Sequence, residues 1–417
     1  MSKSVQSHHP LARITIWHIL LLALITRCFW AIVVPVAPIN SDPSVYDQLA
    51  QQIAQGKGYV WPDGRVTAYW PVGTSALYGI IFALFGHNLS VAALVNVLLG
   101  TGLVAATYAL ARTGFSSGVA LLAALLTAIW PTWIAYTTII ASELPTNLFF
   151  TAGVAIALSR LRPWWLRVMV STALLVASAY CRGNMLPFVM LVPLVVALRE
   201  RSAIVFFREG ALALALAALL IAPWALRNQH VLGHPVLIAA NVGVNLWIGN
   251  NPVADGNYTI PPGPVPASTN EVERDNVYAQ RAKAYILANP GRYLALCLNR
   301  LRLALDRETY GVSWNPGLAP SAQLPVKIVM TGYWYLVFAA ALIGIGRYLL
   351  RRWSRIFSPY ILLPLATLAA PVLVMSLDRY HYALAPFVAI FAAYALVAWR
   401  NRGDGKSMAD VGIAHDD

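Results

Sequence analysis

This chain has very little charge. Asp, Glu, Lys and Arg make up 11% of its 417 residues, against about 25% in an ordinary soluble protein. The length alone would allow roughly three soluble domains, but so few charges cannot cover their surfaces with water-compatible groups. A disordered chain is excluded for the same reason. Cysteine is scarcer still. Cys28, Cys181 and Cys297 are too few and too scattered for a metal cluster or a disulfide scaffold, and they read as packing residues. No Walker loop, HExxH, GxSxG or Cys/His metal spacing occurs, and no internal sequence repeat.

What the chain has in abundance is apolar surface. Hydrophobic residues reach 59% and the mean hydropathy is +0.61. The expected class is an all-α polytopic membrane protein folded as one membrane-embedded unit. At about 20 apolar residues per span, ten runs qualify: 14–36, 89–111, 115–135, 143–159, 164–180, 184–199, 210–226, 326–346, 356–377 and 381–399. Residues 1–13 are polar and basic ahead of the first run. No small-residue cleavage site follows it, so a retained first span is expected rather than a signal peptide. Residues 71–86 are apolar but short and carry a proline and three glycines, which suits a helix lying at the interface.

The net charge of +13 would suggest nucleic acid in a soluble protein. Here the basic residues lie mostly between apolar runs, which excludes that partner and orients the chain. With a cytoplasmic N-terminus, the inner segments hold 16 basic residues: Lys3, Arg13, Arg112, Arg160, Arg162, Arg167, Arg199, Arg201, Arg208, Arg347, Arg351, Arg352, Arg355, Arg400, Arg402 and Lys406. The short outer turns hold only Arg182 and Arg379. Both termini are then inside. Two long segments, 37–88 and 227–325, fall outside with nine acids, and Glu143 and Asp378 in the short outer turns bring the outer side to 11 of the 17. Chemistry is therefore expected on the outer face of the membrane.

The second long segment carries its own helices. Ser268 and Glu271 have capping-box spacing, predicting a helix that starts after Ser268 and runs to Asn289. Beyond Pro290, Leu294, Leu298, Leu301 and Leu305 recur at helical spacing beside Arg292, Arg300, Arg302 and Arg307. Such a helix lies on a membrane surface or packs on its own protein, and the pattern does not choose. Residues 250–266 are rich in turn formers and irregular.

The chemical candidates are charges at the outer ends of spans. Asp42 follows the first span and precedes a helical stretch, where it serves either as an N-cap or as a functional carboxylate. Glu143 sits in a tight turn between two spans, a costly place for a carboxylate, unless it is a solvated helix-start acid favoured by the macrodipole. Arg182, Arg227 and Arg379 each end a span on the outer side. One by one they could snorkel to headgroups; together they break the positive-inside pattern. Arg27, inside the first span, must face protein or water. Tyr46, Tyr59, Trp61, Tyr69, Trp70, Trp224 and Trp247 crowd the same side. An interfacial aromatic belt accounts for most of them, and stacking on a sugar for a minority.

Taken in order, these segments resemble the GT-C superfamily of integral-membrane glycosyltransferases. The likeness is to its bacterial protein O-mannosyltransferase and aminoarabinose-transferase group. The pieces are the Arg27-bearing span, Ser41-Asp42-(x3)-Tyr46, Gly56-x-Gly58-Tyr59, Tyr69-Trp70-Pro71-x-Gly73 and Ser142-Glu143-x-Pro145. They continue with Arg182-Gly183, Pro223-Trp224-(x2)-Arg227-Asn228, Asn245-Leu246-(x2)-Gly249-Asn250-Asn251, and Arg379-Tyr380 with Pro386. Each is weak alone; the ordered set spans nearly the whole chain.

The resemblance implies transfer of a hexosyl or pentosyl group from a polyprenyl-phosphate donor to a glycan, lipid or protein acceptor at the outer face, with inversion. It maps the essential loop carboxylate onto Asp42 and implies a bacterial inner membrane as the location; from its own placement, Glu143 is expected to join Asp42 in catalysis. It also implies two surface helices near 44–55 and 71–86. Arg182, Arg227 and Arg379 are expected at the donor phosphate, and Tyr46, Tyr69, Trp70, Asn250, Asn251 and Tyr380 at the sugar or acceptor. No cofactor is expected; a divalent metal between Asp42 and Glu143 is left open and not predicted.

Two departures limit the likeness. Many relatives have Asp-Glu where this chain has Asp42-Pro43, and a Lys before Pro-Pro where it has Trp70-Pro71-Val72. Neither aminoarabinose nor lipid A is therefore implied. The rival class is a transporter or flippase of a lipid-linked intermediate. It is disfavoured because a transporter's binding groups lie near mid-membrane in related halves, whereas these acids cluster outside.

Overall fold

A computed structural model describes residues 14–37 and 39–403. Of the basic residues used for orientation, Lys3, Arg13, Lys406 and the Arg402 side chain lie outside what is described. The protein is 74% helical with no strand among the described residues, and it is a polytopic membrane protein. Each of the ten apolar runs is helical. Seven helices are long and apolar enough to cross a membrane, and a bent pair makes an eighth.

The order is α1 (Ile16–Val33), then α2 (Asp42–Ala54) and α3 (Val72–Phe85) in the first outer loop, then α4 (Leu89–Arg112). The bent pair is α5 (Ser117–Ala128) and α6 (Pro131–Ala135), with a 51° break between them. There follow α7 (Glu143–Ala157), α8 (Trp164–Cys181), α9 (Phe188–Glu200) and α10 (Ala203–Leu232). The second outer segment holds α11 (Val242–Gly249), α12 (Glu271–Ala288), α13 (Pro290–Ala304) and α14 (Tyr310–Ser313). Last come α15 (Pro320–Arg351), the short pair α16 (Pro359–Thr367) and α17 (Ala369–Leu373), and α18 (Ala385–Gly403). α10 continues to Gly233, whose left-handed φ of 75° ends it.

The break between α5 and α6 explains Arg27. Pro131 cannot donate to the preceding turn, so the last carbonyls of α5 are left open at membrane depth. Arg27, fully buried, donates to the Ala128 carbonyl at 3.1 Å. Its charge sits against the negative end of the α5 dipole. The broken segment then turns toward the outer side. There Asn96 on α4 holds it by donating to the Thr137 and Ile139 carbonyls at 3.1 and 3.0 Å.

α18 is the central helix, with 83% of its apolar window buried against 17% for α1. Phe115, Tyr348, Tyr360, Phe391 and Tyr394 interlock edge to face at its inner half. The turn that feeds α18 carries Arg379, so this arginine enters on the most deeply buried of the long spans.

The predicted capping box is not made. Asn270 is the N-cap of α12, accepting from the Val272 N–H, and Ser268 bonds Glu273 instead. Glu271 is drawn away by a tertiary contact, described below. α12 does stop at Asn289, ahead of Pro290 as predicted.

Candidate functional site

Four charged side chains from four separate parts of the chain meet at the end of the bundle that carries the two long segments. Asp42 is the first residue of α2; Ser41 precedes it as the cap residue, and neither side chain caps the helix. The Asp42 carboxylate instead accepts from Arg379 Nη2 at 2.6 Å. Glu143 opens α7 and is fully buried, so it is not a solvated helix-start acid. Its Oε1 accepts from Arg379 Nη1 at 3.1 Å and lies 3.5 Å from Arg182 Nη1.

Arg379 thus forks between two carboxylates. The guanidinium also lies over the rings of Trp314 and Tyr310, at 4.4 and 4.9 Å from their centroids. Burial alone would lower its pKa, but Asp42 and Glu143 raise it well above the usual arginine value. Arg182 ends α8 in extended conformation and stacks over Tyr380 at 4.8 Å. Two cations balance two anions, and this is what permits a fully buried Glu143.

Neighbouring groups fix these positions. Gly73 lies so close to α8 that a Cβ would sit 2.6 Å from the Tyr180 carbonyl, so α3 packs directly on the backbone leading to Arg182. Asp378 accepts from the Thr309 backbone N–H and hydroxyl at 3.2 and 2.6 Å. Buried Glu308 accepts from Trp130, Thr132 and His381, the last at 3.2 Å. These links bind the Arg379 turn to the segment that carries Tyr310 and Trp314. Beside Arg182, an apolar groove of about 500 Å³ opens between α3, α7, α8 and α10. Val72, Gly73, Phe149, Cys181, Pro223 and Trp224 line it.

The remaining expected residues divide. Tyr46 lies one turn after Asp42, buried, edge-on to Trp70 at 5.6 Å. Burial, then the charge of Asp42, push its pKa upward. Trp70 meets Tyr69 at 5.8 Å, and burial pushes the Tyr69 pKa up to about 12. Tyr380 is the ring beneath Arg182.

Arg227 has a different set of partners. It donates to the Tyr59 and Thr67 carbonyls at 2.8 and 2.7 Å and stacks on Trp224. From the other side, Glu271 takes the Ala68 N–H and the Thr67 hydroxyl. Arg227 and Glu271 therefore clasp the first outer loop between them. Asn250 and Asn251 are fully buried at the end of α11. Asn250 receives Arg300 at 2.8 Å, and Asn251 donates to the Trp247 carbonyl at 2.9 Å. Their neighbour Gly249 is the close-approach residue: a Cβ there would meet the Val374 carbonyl at 1.9 Å.

Sequence reasoning missed Tyr310, Trp314, Glu308 and His381. The signal for the first three was a Glu-Thr-Tyr-(x3)-Trp run just before α15, hidden among many interfacial aromatics, and His381 stands two residues after Arg379.

Comparison places this architecture. No family model matches the chain, and no curated protein sequence does. Solved structures do. The Archaeoglobus fulgidus oligosaccharyltransferase, solved with zinc and sulfate, superposes at TM-score 0.56 with 15% identity over 93% of this chain and 50% of that one. The same archaeal enzyme, AglB, with an inhibitory peptide and a dolichol-phosphate gives 0.54 and 15% over 98% and 53%. ArnT from Cupriavidus metallidurans gives 0.52 and 16% over 93% and 61%. The protein therefore has the fold of the GT-C membrane glycosyltransferases. It spans between half and about three-fifths of the length of these structures.

Proposed function

We propose that this protein is a glycosyltransferase that moves a sugar from a polyprenyl-phosphate donor to an acceptor hydroxyl at the outer face of the membrane. The observation that carries this reading is the charge-balanced set of buried Glu143 and Arg379 with half-buried Asp42 and Arg182, beside an apolar groove. The groove suits a prenyl chain, and the phosphate at its head would fall to Arg182 and Arg379. The archaeal neighbour solved with a dolichol-phosphate supports a lipid phosphate as the donor's head.

The chemistry follows from charge. The acceptor oxygen attacks the anomeric carbon as the bond from that carbon to the phosphate oxygen breaks. The hydroxyl proton passes to Asp42, the general base. The leaving phosphate gains one negative charge as Asp42 loses one, so the site's total is conserved. Before the donor arrives, Arg379 is committed to Asp42. A phosphate competing for the guanidinium loosens that pair and frees the carboxylate to accept a proton. Arg182 and Arg379 then stabilise the leaving group, and Glu143 holds both in place. A single displacement of this kind inverts the anomeric centre. Tyr46, Trp70 and Tyr380 flank the acceptor side.

A divalent ion does not fit between Asp42 and Glu143, because Arg379 bridges them. Nor do three His, Cys, Asp or Glu side chains among the described residues gather to share a metal. No step here passes through a metal.

The test is to offer purified, reconstituted protein a panel of labelled polyprenyl-phosphate sugars. Release of free polyprenyl phosphate identifies the donor. Movement of intact donor between leaflets without release would establish a flippase instead. Within the working assay, Asp42→Asn should lower turnover at least about 10²-fold while donor binding survives. Undiminished turnover would remove Asp42 from the reaction.

A further inference from the structure

α13 is built inside out for a helix on the surface of a soluble loop. Its Arg300 points inward, while Arg292 and Arg302 are exposed. Arg300, fully buried, donates to the Val372 and Leu373 carbonyls at 3.2 and 3.1 Å and to Gly249 and Asn250. Arg292 donates to the Ala254 carbonyl at 2.8 Å, and the Tyr293 hydroxyl to Leu373 at 3.3 Å. The leucines face away from the protein: Leu294 is 64% exposed and Leu298 71%, with Leu301 exposed on the same face. Water would not tolerate such a stripe without a partner.

The location of α13 names that partner. The carbonyls that take Arg300 and Tyr293 belong to the end of α17, where the short apolar pair α16–α17 finishes on the site's side of the membrane. α13 is therefore held at the rim of the bilayer. Leu365 and Leu373 of the same pair are exposed and carry the apolar belt up to it. Arg302 is exposed beside the leucines, where a basic side chain meets lipid phosphates.

We propose that α13 is seated in the leaflet on the site's side, its leucine face among acyl chains. In that position it sets the depth of the segment running from Leu373 to Arg379. The buried Arg300 transmits this, because one guanidinium binds both the end of α17 and the Gly249–Asn250 corner. The inference does not depend on which reaction the site performs.

The experiment uses the unaltered protein in vesicles of phosphatidylcholine and phosphatidylglycerol. A fraction of the phosphatidylcholine carries a diazirine on an acyl chain. After illumination, peptide mapping should find lipid adducts at Leu294 and Leu298, at yields comparable to the exposed Leu219 of α10. Residues 272–284 of the polar α12, in the same loop, should carry none. Labelled spans with an unlabelled α13 would overturn the proposal. So would protein–protein crosslinks from this face, which would show a second copy or another protein covering it.

Discussion

At Arg379 one guanidinium meets two carboxylates and two aromatic faces at once. Only a planar fork satisfies all four, and a lysine ammonium reaches one carboxylate at a time. Each charge-assisted hydrogen bond is worth about 1.5–3 kcal/mol, so Arg379→Lys should weaken donor binding by about 10- to 100-fold. Titration with a labelled polyprenyl phosphate measures this directly. Arg227→Lys makes the contrast. Its fork holds the Tyr59 and Thr67 carbonyls, so the expected effect is a lower unfolding temperature with donor affinity per folded molecule unchanged. Equal losses of affinity in both variants would erase the distinction drawn from their partners. Asp42, Glu143, Arg182 and Arg379 were legible in sequence because charge at a span end is expensive and demands a reason. Arg227 looked the same by that criterion. What separates it is which carbonyls fold against it, and no local pattern encodes that. Tyr310 and Trp314 were invisible because aromatics at an interface need no special explanation.

The first outer loop packs α2 on α3 around Tyr46, Ala50, Tyr78 and Phe82, and the stretch between the two helices is held by the end of α10 and the start of α12. The helical stretch after Asp42, the short apolar run 71–86 and the family resemblance made its two helices legible. The clasp was not, since Glu271 read equally well as half of a capping box. Burial raises the pKa of Glu271, against the hydrogen bonds from Ala68 and Thr67 that lower it. The sign for stability follows. With the folded value above the unfolded one, the folded state holds the proton longer. Its contribution is full below the ordinary glutamate range of about 4.3 and is lost as pH rises through the raised value. Wild-type protein should therefore gain stability on acidification from neutrality toward about pH 4.5, relative to Glu271→Gln. Gln keeps an acceptor for the Ala68 N–H but does not titrate. Thermal unfolding of both proteins across that range checks this. Parallel pH profiles would mean that Glu271 titrates normally.

Across the whole molecule, charge sorts the two ends of the bundle. At one end arginines bridge the short connections: Arg167 to Glu209 at 2.5 Å, Arg208 over Trp164, Arg347 to the Ala395 carbonyl. At the other lie the two long segments and the balanced set around Arg379. Basic residues that pair with little acid resist translocation, so the arginine-rich end should face the cytoplasm. The expectation is then that the site and both long segments lie on the outer side. Asn250 and Arg352 test the assignment because α15 is the one long span separating them. Reporter enzymes fused after each should be active in opposite compartments, the exported reporter at Asn250 and the cytoplasmic one at Arg352. Matching signals at the two positions would mean that α15 does not cross. Signals reversed from this order would keep the bundle but place the site inside. The donor would then have to be taken from the leaflet where it is made, before any flipping step.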